Sequence, residues 1–442
     1  MSPDAGVLKP GLVKDLLIEK MAFGAKGIGR LEGKTVFVSG AVPGDEVKIQ
    51  IVEDKGSFFE ARVQQFIKKS SVRQDSRCQF SDKCGGCQWQ EVAPEVQKEW
   101  KWQFVKDALK RIARLDLPSD SAFVAADNPF YYRNRALLRG TVSESGDVRA
   151  GFFKKSSRIQ IPVNHCAIVE PALNTVIQSL QALHVKASPQ TFRLELQYFL
   201  GFAGKQKAGV TALIHPVSPK GRELDSLVDA LQALPEIVWA GSTLDKSPRP
   251  VLALEQWENL KYYSSPGQFF QVNRAQNAVL RELVSANVAK SGSGVSVLDL
   301  FCGSGNLSLM LARVADRVTG VESNPGSVGI AKYAAKANGL ENVSFYAQDS
   351  LRFLKKQVEQ KKTFDVIIAD PPRAGMKACL PYLMDLAPEL LIYVSCDPAT
   401  LARDLGKLHK DYEICSLRAL DFFPQTYHIE SFVVLKKRAE KV

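Results

Sequence analysis

From about residue 255 onward, apolar runs alternate with helical stretches in a regular order. VSVLDL, RVTGVE, VSFYAQ, FDVIIAD and LLIYVS are followed by amphipathic stretches at 305–315, 325–338, 350–359, 376–388 and 398–410. Short runs that are apolar on both sides suit strands buried on both faces, and helices between them supply the crossovers that parallel strands need. The pattern therefore predicts a doubly wound α/β domain over 255–442, closed by two further strands at EICSLRALDFF and ESFVVLKK. Ligands of such sheets bind beyond the carboxyl ends of the strands. The residues that follow the runs are the ones to read for chemistry.

One run ends in Leu391–Pro398, LIYVSCDP, with Cys396 on the turn into a helix that Ser395 or Asp397 can cap. The positive end of the helix dipole favours a thiolate there; a small core thiol fits the same position. Another run gives Asp299-Leu-Phe-Cys-Gly303-Ser-Gly305-Asn306, where two glycines allow a tight turn and close backbone approach to a ligand. Glu322 ends the next strand, where an acid can hold both ribose hydroxyls of a nucleoside cofactor. The third glycine of a dinucleotide site is replaced by Ser308. A fourth run gives Asp370-Pro-Pro-Arg-Ala-Gly375, a stiff acidic loop at the same edge. His428 and Glu430 precede the last strand, two apart, and share a face if the chain is extended.

Upstream, residues 8–70 predict a small barrel: short β-prone runs are broken by glycines and by the turn Pro43-Gly44-Asp45, as in a five-stranded OB-type fold. Next stand Cys78, Cys84 and Cys87, the last two enclosing two glycines, and clustering of this kind reads as metal ligation. Cys166 is the only other cysteine before the C-terminal domain and is the candidate fourth ligand. Zinc and an iron–sulfur cluster both suit four thiolates; a single Cys-x2-Cys knuckle favours iron–sulfur. Residues 71–254 are expected to form a mixed central domain, with a helix at 94–115 able to pack on the C-terminal domain and strands at 133–142, 148–154, 193–200 and 208–216.

Lys plus Arg number 58 against 47 Asp plus Glu, a net charge of +11 that suits a polyanionic partner. Residues 98–160 hold 13 basic against 7 acidic side chains, interleaved with Trp100, Trp102, Phe130, Tyr131, Tyr132, Phe152 and Phe153. Basic and aromatic side chains together suit a surface that binds phosphates and stacks unpaired bases. No apolar run of 18 residues exists, the N-terminus lacks a signal-peptide pattern, and eight cysteines form no disulfide scaffold. The expectation is a cytoplasmic monomer with no membrane partner.

FGAKGIGRLEGKTVFVSGAVPGDEV resembles the TRAM domain, and Asp299-x3-Gly303-x-Gly305 resembles motif I of S-adenosylmethionine-dependent methyltransferases. Taken with C-x5-CGGC, DPPRAG, VSCDPATLARD and HIES, these stretches resemble the RNA 5-methyluridine methyltransferases, and within them the TRAM-bearing, iron–sulfur 23S rRNA (uracil-5-)-methyltransferases. The resemblance covers about residues 11–437. It implies a Rossmann-like S-adenosylmethionine methyltransferase domain, RNA as partner, and a 4Fe–4S cluster on Cys78, Cys84, Cys87 and Cys166. It also implies cofactor contacts by Gln268, Phe301, Asn306, Glu322, Asp349 and Asp370, with Cys396 as nucleophile and Glu430 as base. Asp397 stands where SCNP is common, and Tyr427 where a small residue is usual. The competing readings are the same chemistry on the T-loop of a tRNA, an amino-methyltransferase, and a non-catalytic RNA-binding iron–sulfur protein. Arg373 stands where adenine amino-methyltransferases carry an aromatic, and such enzymes have no need of Cys396.

Overall fold

The computed structural model describes residues 11–186, 188–202, 207–217 and 224–439; residues 8–10 of the expected barrel lie outside them. The N-terminal unit is a six-stranded sheet in the order Val13–Leu17, Glu46–Asp54, Phe58–Lys68, Lys34–Ser39, Lys26–Leu31, Lys20–Ala22. The five strands expected become six because the first run turns a corner. Its first half pairs with Glu46–Asp54 and its second with Lys26–Leu31. At the corner the Ile18 N–H donates to Asp45 O and the Glu19 N–H to Ile28 O. The alternate residues Val36, Val38, Val47, Ile49 and Ile51 close over Phe59, the period-2 burial of a half-buried sheet.

The central region is a second six-stranded sheet, ordered Gln160–Pro162, Val148–Phe153, Arg135–Val142, Gln190–Phe199, Gly209–Pro216, Ile237–Ser242. Its core includes apolar residues of the helices Pro171–Leu180 and Asp225–Gln232. Leu252–Trp257 and Leu260–Ser264 then form a small hairpin leading to the C-terminal sheet.

That sheet has eight strands, ordered Val343–Ala347, Arg317–Glu322, Ser296–Leu300, Val366–Ala369, Leu390–Ser395, Glu430–Lys437, Tyr412–Leu420, Asp120–Val124. The first five are parallel and Glu430–Lys437 runs antiparallel. Alternate residues serve its two faces. Val297, Val366, Ile368, Ile392 and Val394 meet the helices Arg274–Ala289 and Pro325–Ala337. Leu298, Leu300, Ile367, Leu391 and Tyr393 meet Ser350–Glu359, Leu380–Leu386 and Pro398–Leu408. The eighth strand comes from the central stretch of sequence. It arrives through the helix Pro94–Ala108, which ends in a π-helical turn, Leu109–Ala113, rather than running to 115. Val105 and Leu109 share a core with Leu401, Leu405 and Leu408, so this helix packs on the helix that follows Cys396.

Two helices are shorter than their apolar patterns. The stretch expected at 305–315 is helical only over Ser308–Leu311, because Phe301, Gly303 and Gly305 hold positive φ and keep the preceding chain in turns. The stretch expected at 376–388 runs over Leu380–Leu386, with Pro381 in its first turn and Ala387 left-handed at its end. No described helix is long and apolar enough to cross a membrane.

Candidate functional site

Four strand ends meet at the carboxyl edge of the C-terminal sheet. Ser296–Leu300 turns sharply at Phe301 (φ 62°), Gly303 (φ 55°) and Gly305 (φ 87°). Nothing lies within 4 Å of where a Cβ on Gly303 would stand, so the turn leaves open space beside its backbone. Glu322 borders that space. It accepts from the Gly303 N–H at 3.3 Å and the Asn324 N–H at 2.8 Å. Its carboxylate is thus fixed where the next strand ends, and a half-buried Phe301 and an anchored acid beside an open glycine turn fit a nucleoside-bearing cofactor. Asp299 lies beneath, buried. Ser308 donates to it, and burial pushes its carboxyl up to about 7.

The remaining expected cofactor contacts surround this turn. Asn306 exchanges hydrogen bonds with Asn277 at 2.9 and 3.0 Å and accepts from Arg281 at 2.7 Å. Gln268 accepts from Ser327 Oγ at 3.0 Å, beside the start of the helix Pro325–Ala337 and close to Glu322. Asp349 is exposed and caps the helix Ser350–Glu359 through the Arg352 N–H at 3.0 Å. Asp370, half-buried at the next strand end, is pushed up to about 7 by burial.

Cys396 follows Leu390–Ser395, and Asp397 caps the helix Pro398–Leu408 by accepting from the Thr400 N–H at 2.9 Å. The antiparallel partner strand begins at Glu430, and Ser395 pairs with Ser431. Cys396 and Glu430 flank that last pair, near enough for the carboxyl to act on the thiol. The thiolate expected from the helix position is not favoured here. Burial pushes the Cys396 thiol up to about 12, and Glu430 and Asp370 add to the effect against Arg373. Burial likewise raises Glu430 well above the usual carboxylate range, with Asp370 adding and Arg373 opposing. Glu430 Oε1 has no hydrogen-bond partner although the residue is buried, a cost that ordinary structural acids avoid. His428 does not continue the strand; burial and the cations Arg373, Lys101 and Arg133 hold it down at about 4, neutral at pH 7. Tyr427 leans on His428, ring centroids 4.1 Å apart and tilted by 39°, and meets Phe23 of the barrel edge-on at 5.3 Å.

Several contributors were not legible as functional from the sequence. Arg281 is buried against the Tyr262 ring, 3.6 Å from its centroid, and pairs with Glu255 while holding Asn306. Its signal was a cation four residues after Asn277 on the buried face of one helix. Asp404, buried in the helix after Cys396, accepts from Tyr393 and from the Met376 N–H, and so fixes the end of the Asp370–Gly375 loop.

Part of the expected basic and aromatic surface is packing. Phe130 and Tyr132 are buried, and Trp100 leans on Trp89 at 5.4 Å. Arg135 is engaged by the buried Glu195 at 2.6 Å. Tyr131 alone of the seven aromatics is well exposed. The four cysteines expected to ligate a metal fall in one neighbourhood. Cys78, Cys84, Cys87 and Cys166 are near enough to raise one another's pKa, and Gly86 N–H and Gln90 Nε2 point at sulfur. Yet among the described residues no group of three or more His, Cys, Asp or Glu is gathered to hold a metal ion. Burial raises the thiols of Cys84, Cys87 and Cys166, the last two to about 12 and about 11.

Residues 8–63 match the TRAM domain, and residues 251–438 match the tRNA (Uracil-5-)-methyltransferase family. The chain is 34% identical to the 23S rRNA (uracil(1939)-C(5))-methyltransferase of Edwardsiella ictaluri, over 95% of this chain and 94% of that one. It is 33% identical to an uncharacterized RNA methyltransferase of Thermosynechococcus vestitus, over 97% and 99% of the two chains. The tRNA (uracil-54, C5)-methyltransferase of Pyrococcus abyssi, solved with S-adenosyl-L-homocysteine, shares the fold: its TM-score is 0.68 at 22% identity, over 96% of this chain and 100% of that one.

Proposed function

The chain belongs to the RNA (uracil-5-)-methyltransferases, with a TRAM domain at its N-terminus, and on that premise we propose that it methylates carbon 5 of one uridine in 23S ribosomal RNA, using Cys396 as nucleophile and Glu430 as base. The observation that carries this reading is the pairing of Ser395 with Ser431, which brings Cys396 and Glu430 to the same end of one strand pair, where the carboxyl acts on the thiol. The near full-length likeness to a 23S rRNA enzyme supports the target.

Carbon 5 of uracil is a weak nucleophile, and each residue answers part of that difficulty. Cys396 sulfur bonds to carbon 6, and the electron pair of the 5,6 double bond moves onto the ring as an enolate. S-adenosylmethionine, when bound, supplies an electrophilic methyl to carbon 5. Glu430 then takes the carbon-5 proton, that pair restores the double bond, and the carbon–sulfur bond breaks to return the thiolate. The target base has to leave any stack to be reached from both faces. Glu322, Phe301, Asn306, Gln268, Asp349 and Asp370 are proposed to bind and orient the methyl donor. A buried carboxyl held well above its ordinary range suits a base working near neutral pH. The chemistry also requires Cys396 to lose its proton, and Arg373 is the cation placed to assist.

We also propose that Cys78, Cys84, Cys87 and Cys166 hold a 4Fe–4S cluster. Its support is the donor set: four thiols from separate stretches of chain in one neighbourhood, with two N–H donors toward sulfur. Protein purified without oxygen is expected to contain about four irons per chain; stoichiometric zinc without iron overturns it. Nucleoside mass spectrometry of RNA from a deletion strain tests the target. Loss of 5-methyluridine at one 23S position supports the proposal. Loss from tRNA alone keeps the chemistry and overturns the target, and no loss from either overturns both.

A further inference from the structure

Residues 421–429 join the last two strands and deliver Glu430 to the mouth of the sheet. Groups distant in sequence hold this segment carbonyl by carbonyl. Phe422 O accepts from Asn273 Nδ2 at 3.1 Å, Phe423 O from Lys101 Nζ at 3.0 Å, and Pro424 O from the Tyr132 hydroxyl at 3.1 Å. Gln425 O accepts from two successive backbone N–H groups, Gln88 at 3.1 Å and Trp89 at 3.0 Å. These two residues directly follow Cys87.

Gln425 is the fixed point of the segment. It is fully buried with φ 67°, a left-handed conformation that disfavours any residue but glycine. Glycine would relax the backbone, so the side chain must earn its place, and its contacts show how. The Gln425 N–H donates to Gln97 Oε1 at 3.0 Å, and Gln97 Nε2 donates to Gln425 Oε1 at 3.1 Å. The same Gln97 amide reaches Trp89 O at 3.0 Å and Val92 O at 2.9 Å. One buried amide thus ties the cysteine segment to the loop that carries Glu430. Strain of this kind persists where the surroundings over-determine it, and it concentrates at functional sites.

We infer that Gln97 and Gln425 are positioning residues for Glu430, so that the chain following Cys87 sets where that carboxylate stands. The inference rests on the reading of Glu430 as base. It predicts a selective fault: a displaced loop leaves Cys396 and the methyl-donor turn in place, because these lie on other strand ends. Sulfur addition and methyl transfer then proceed. Removal of the carbon-5 proton, return of its electron pair to the double bond and departure of the Cys396 thiolate are slowed.

The test uses the full chain with a 23S rRNA transcript and methyl-labelled S-adenosylmethionine, comparing wild type, Gln97→Ala, Gln97→Glu and Glu430→Gln. Single-turnover methyl transfer and release of the Cys396–RNA adduct are followed separately on denaturing gels. Gln97→Ala is expected to slow release on the order of ten- to a hundredfold, as a misplaced catalytic group does, while methyl transfer stays near wild type. Gln97→Glu keeps the acceptor for the Gln425 N–H and loses the donor, so it should fall between. Equal slowing of both steps, or release at the wild-type rate, overturns the inference. If Gln97→Ala melts below the assay temperature, the same split is read from Gln97→Glu alone. A Glu430→Gln protein that forms no Cys396-dependent adduct refutes the proposed chemistry instead, whatever the Gln97 variants do.

Discussion

Cys396 follows Ser395 and Glu430 precedes Ser431, and the pairing of those two serines brings thiol and carboxyl to the same end of one antiparallel strand pair. Glu430 and Asp370 both oppose a negative sulfur, and burial opposes it more, so the free protein keeps the thiol protonated, with a pKa of about 12. Only the thiolate reacts with alkylating agents. Iodoacetamide labelling of Cys396 should therefore be slow at neutral pH and climb with pH beyond the range of an ordinary thiol. Replacing either carboxylate removes a negative neighbour, lowers the thiol pKa and should speed labelling at a fixed pH of about 9. The measurement is peptide mass spectrometry of Asp370→Asn and Glu430→Gln against wild type; labelling slower than wild type in both would contradict the sign of the effect.

The proposed RNA-binding surface can be tested by separating a phosphate contact from a structural cation. Among the described residues no carboxylate pairs with Lys154 or Arg133, whereas Arg135 pairs with the buried Glu195, which also accepts from the Gly267 N–H. Arg133→Ala with Lys154→Ala should weaken RNA binding and flatten its salt dependence, since fewer counterions are released. Arg135→Ala should instead lower stability by about 1–3 kcal/mol, the cost of an under-satisfied buried acid. Salt-titrated binding together with thermal melting checks both halves.

Arg281 offers a test of the methyl-donor pocket away from the chemistry. It neutralises Glu255 and holds Asn306 at 2.7 Å. Arg281→Met keeps much of the packing against Tyr262 but leaves the buried Glu255 only Arg274, 3.7 Å away, as a cation, and should destabilise the fold. Arg281→Lys keeps the charge and loses the fork that reaches both partners. Calorimetric titration with S-adenosylmethionine should show weaker binding in Arg281→Lys, even where melting shows the fold intact. Unchanged affinity would mean that Asn306 does not depend on this anchor.

What could be read in the sequence was what local pattern decides. Apolar runs such as VSVLDL and LLIYVS have to be strands buried on both faces, and the helices between them follow. The residues at their ends, Phe301, Glu322, Asp370 and Cys396, thereby fall on one edge. The barrel was legible in its glycine spacing, although the corner at Ile18 was not, because only tertiary pairing shows that one run serves two partners. The strand Asp120–Val124 carries no pattern that names its neighbour, and its parallel pairing to Tyr412–Leu420 spans most of the chain. The protonation state of Cys396 was misjudged for a physical reason. A helix terminus is visible in sequence, but burial and carboxylates from two other strands are not. The support around Gln425 was hidden likewise, since Gln97 and Lys101 read as ordinary helix residues, and Tyr132 as one aromatic of a nucleic-acid surface, until the loop is seen against them.

The mechanism itself is tested by removing its two proposed catalysts, which act at different steps and should fail differently. Cys396→Ala cannot add to carbon 6, so carbon 5 is never activated. It should bind RNA and S-adenosylmethionine yet give neither methyl transfer nor covalent complex. Glu430→Gln keeps the thiol and nearly the same shape, and addition and methylation can go forward. What it lacks is the acceptor for the carbon-5 proton, typically a factor of about 10²–10⁴ for a positioned base. The thiol cannot leave until that proton does. Glu430→Gln should therefore accumulate a methylated enzyme–RNA adduct that survives denaturing electrophoresis, and the double variant with Cys396→Ala should show none. Normal turnover by Glu430→Gln would move the base to another group at the same edge, with Asp370 the nearest acid in the electrostatic network. His428, held down at about 4, is neutral and could accept the proton only at a lower driving force. Activity in Cys396→Ala would remove covalent activation altogether, and with it the need for a thiol near that carboxylate.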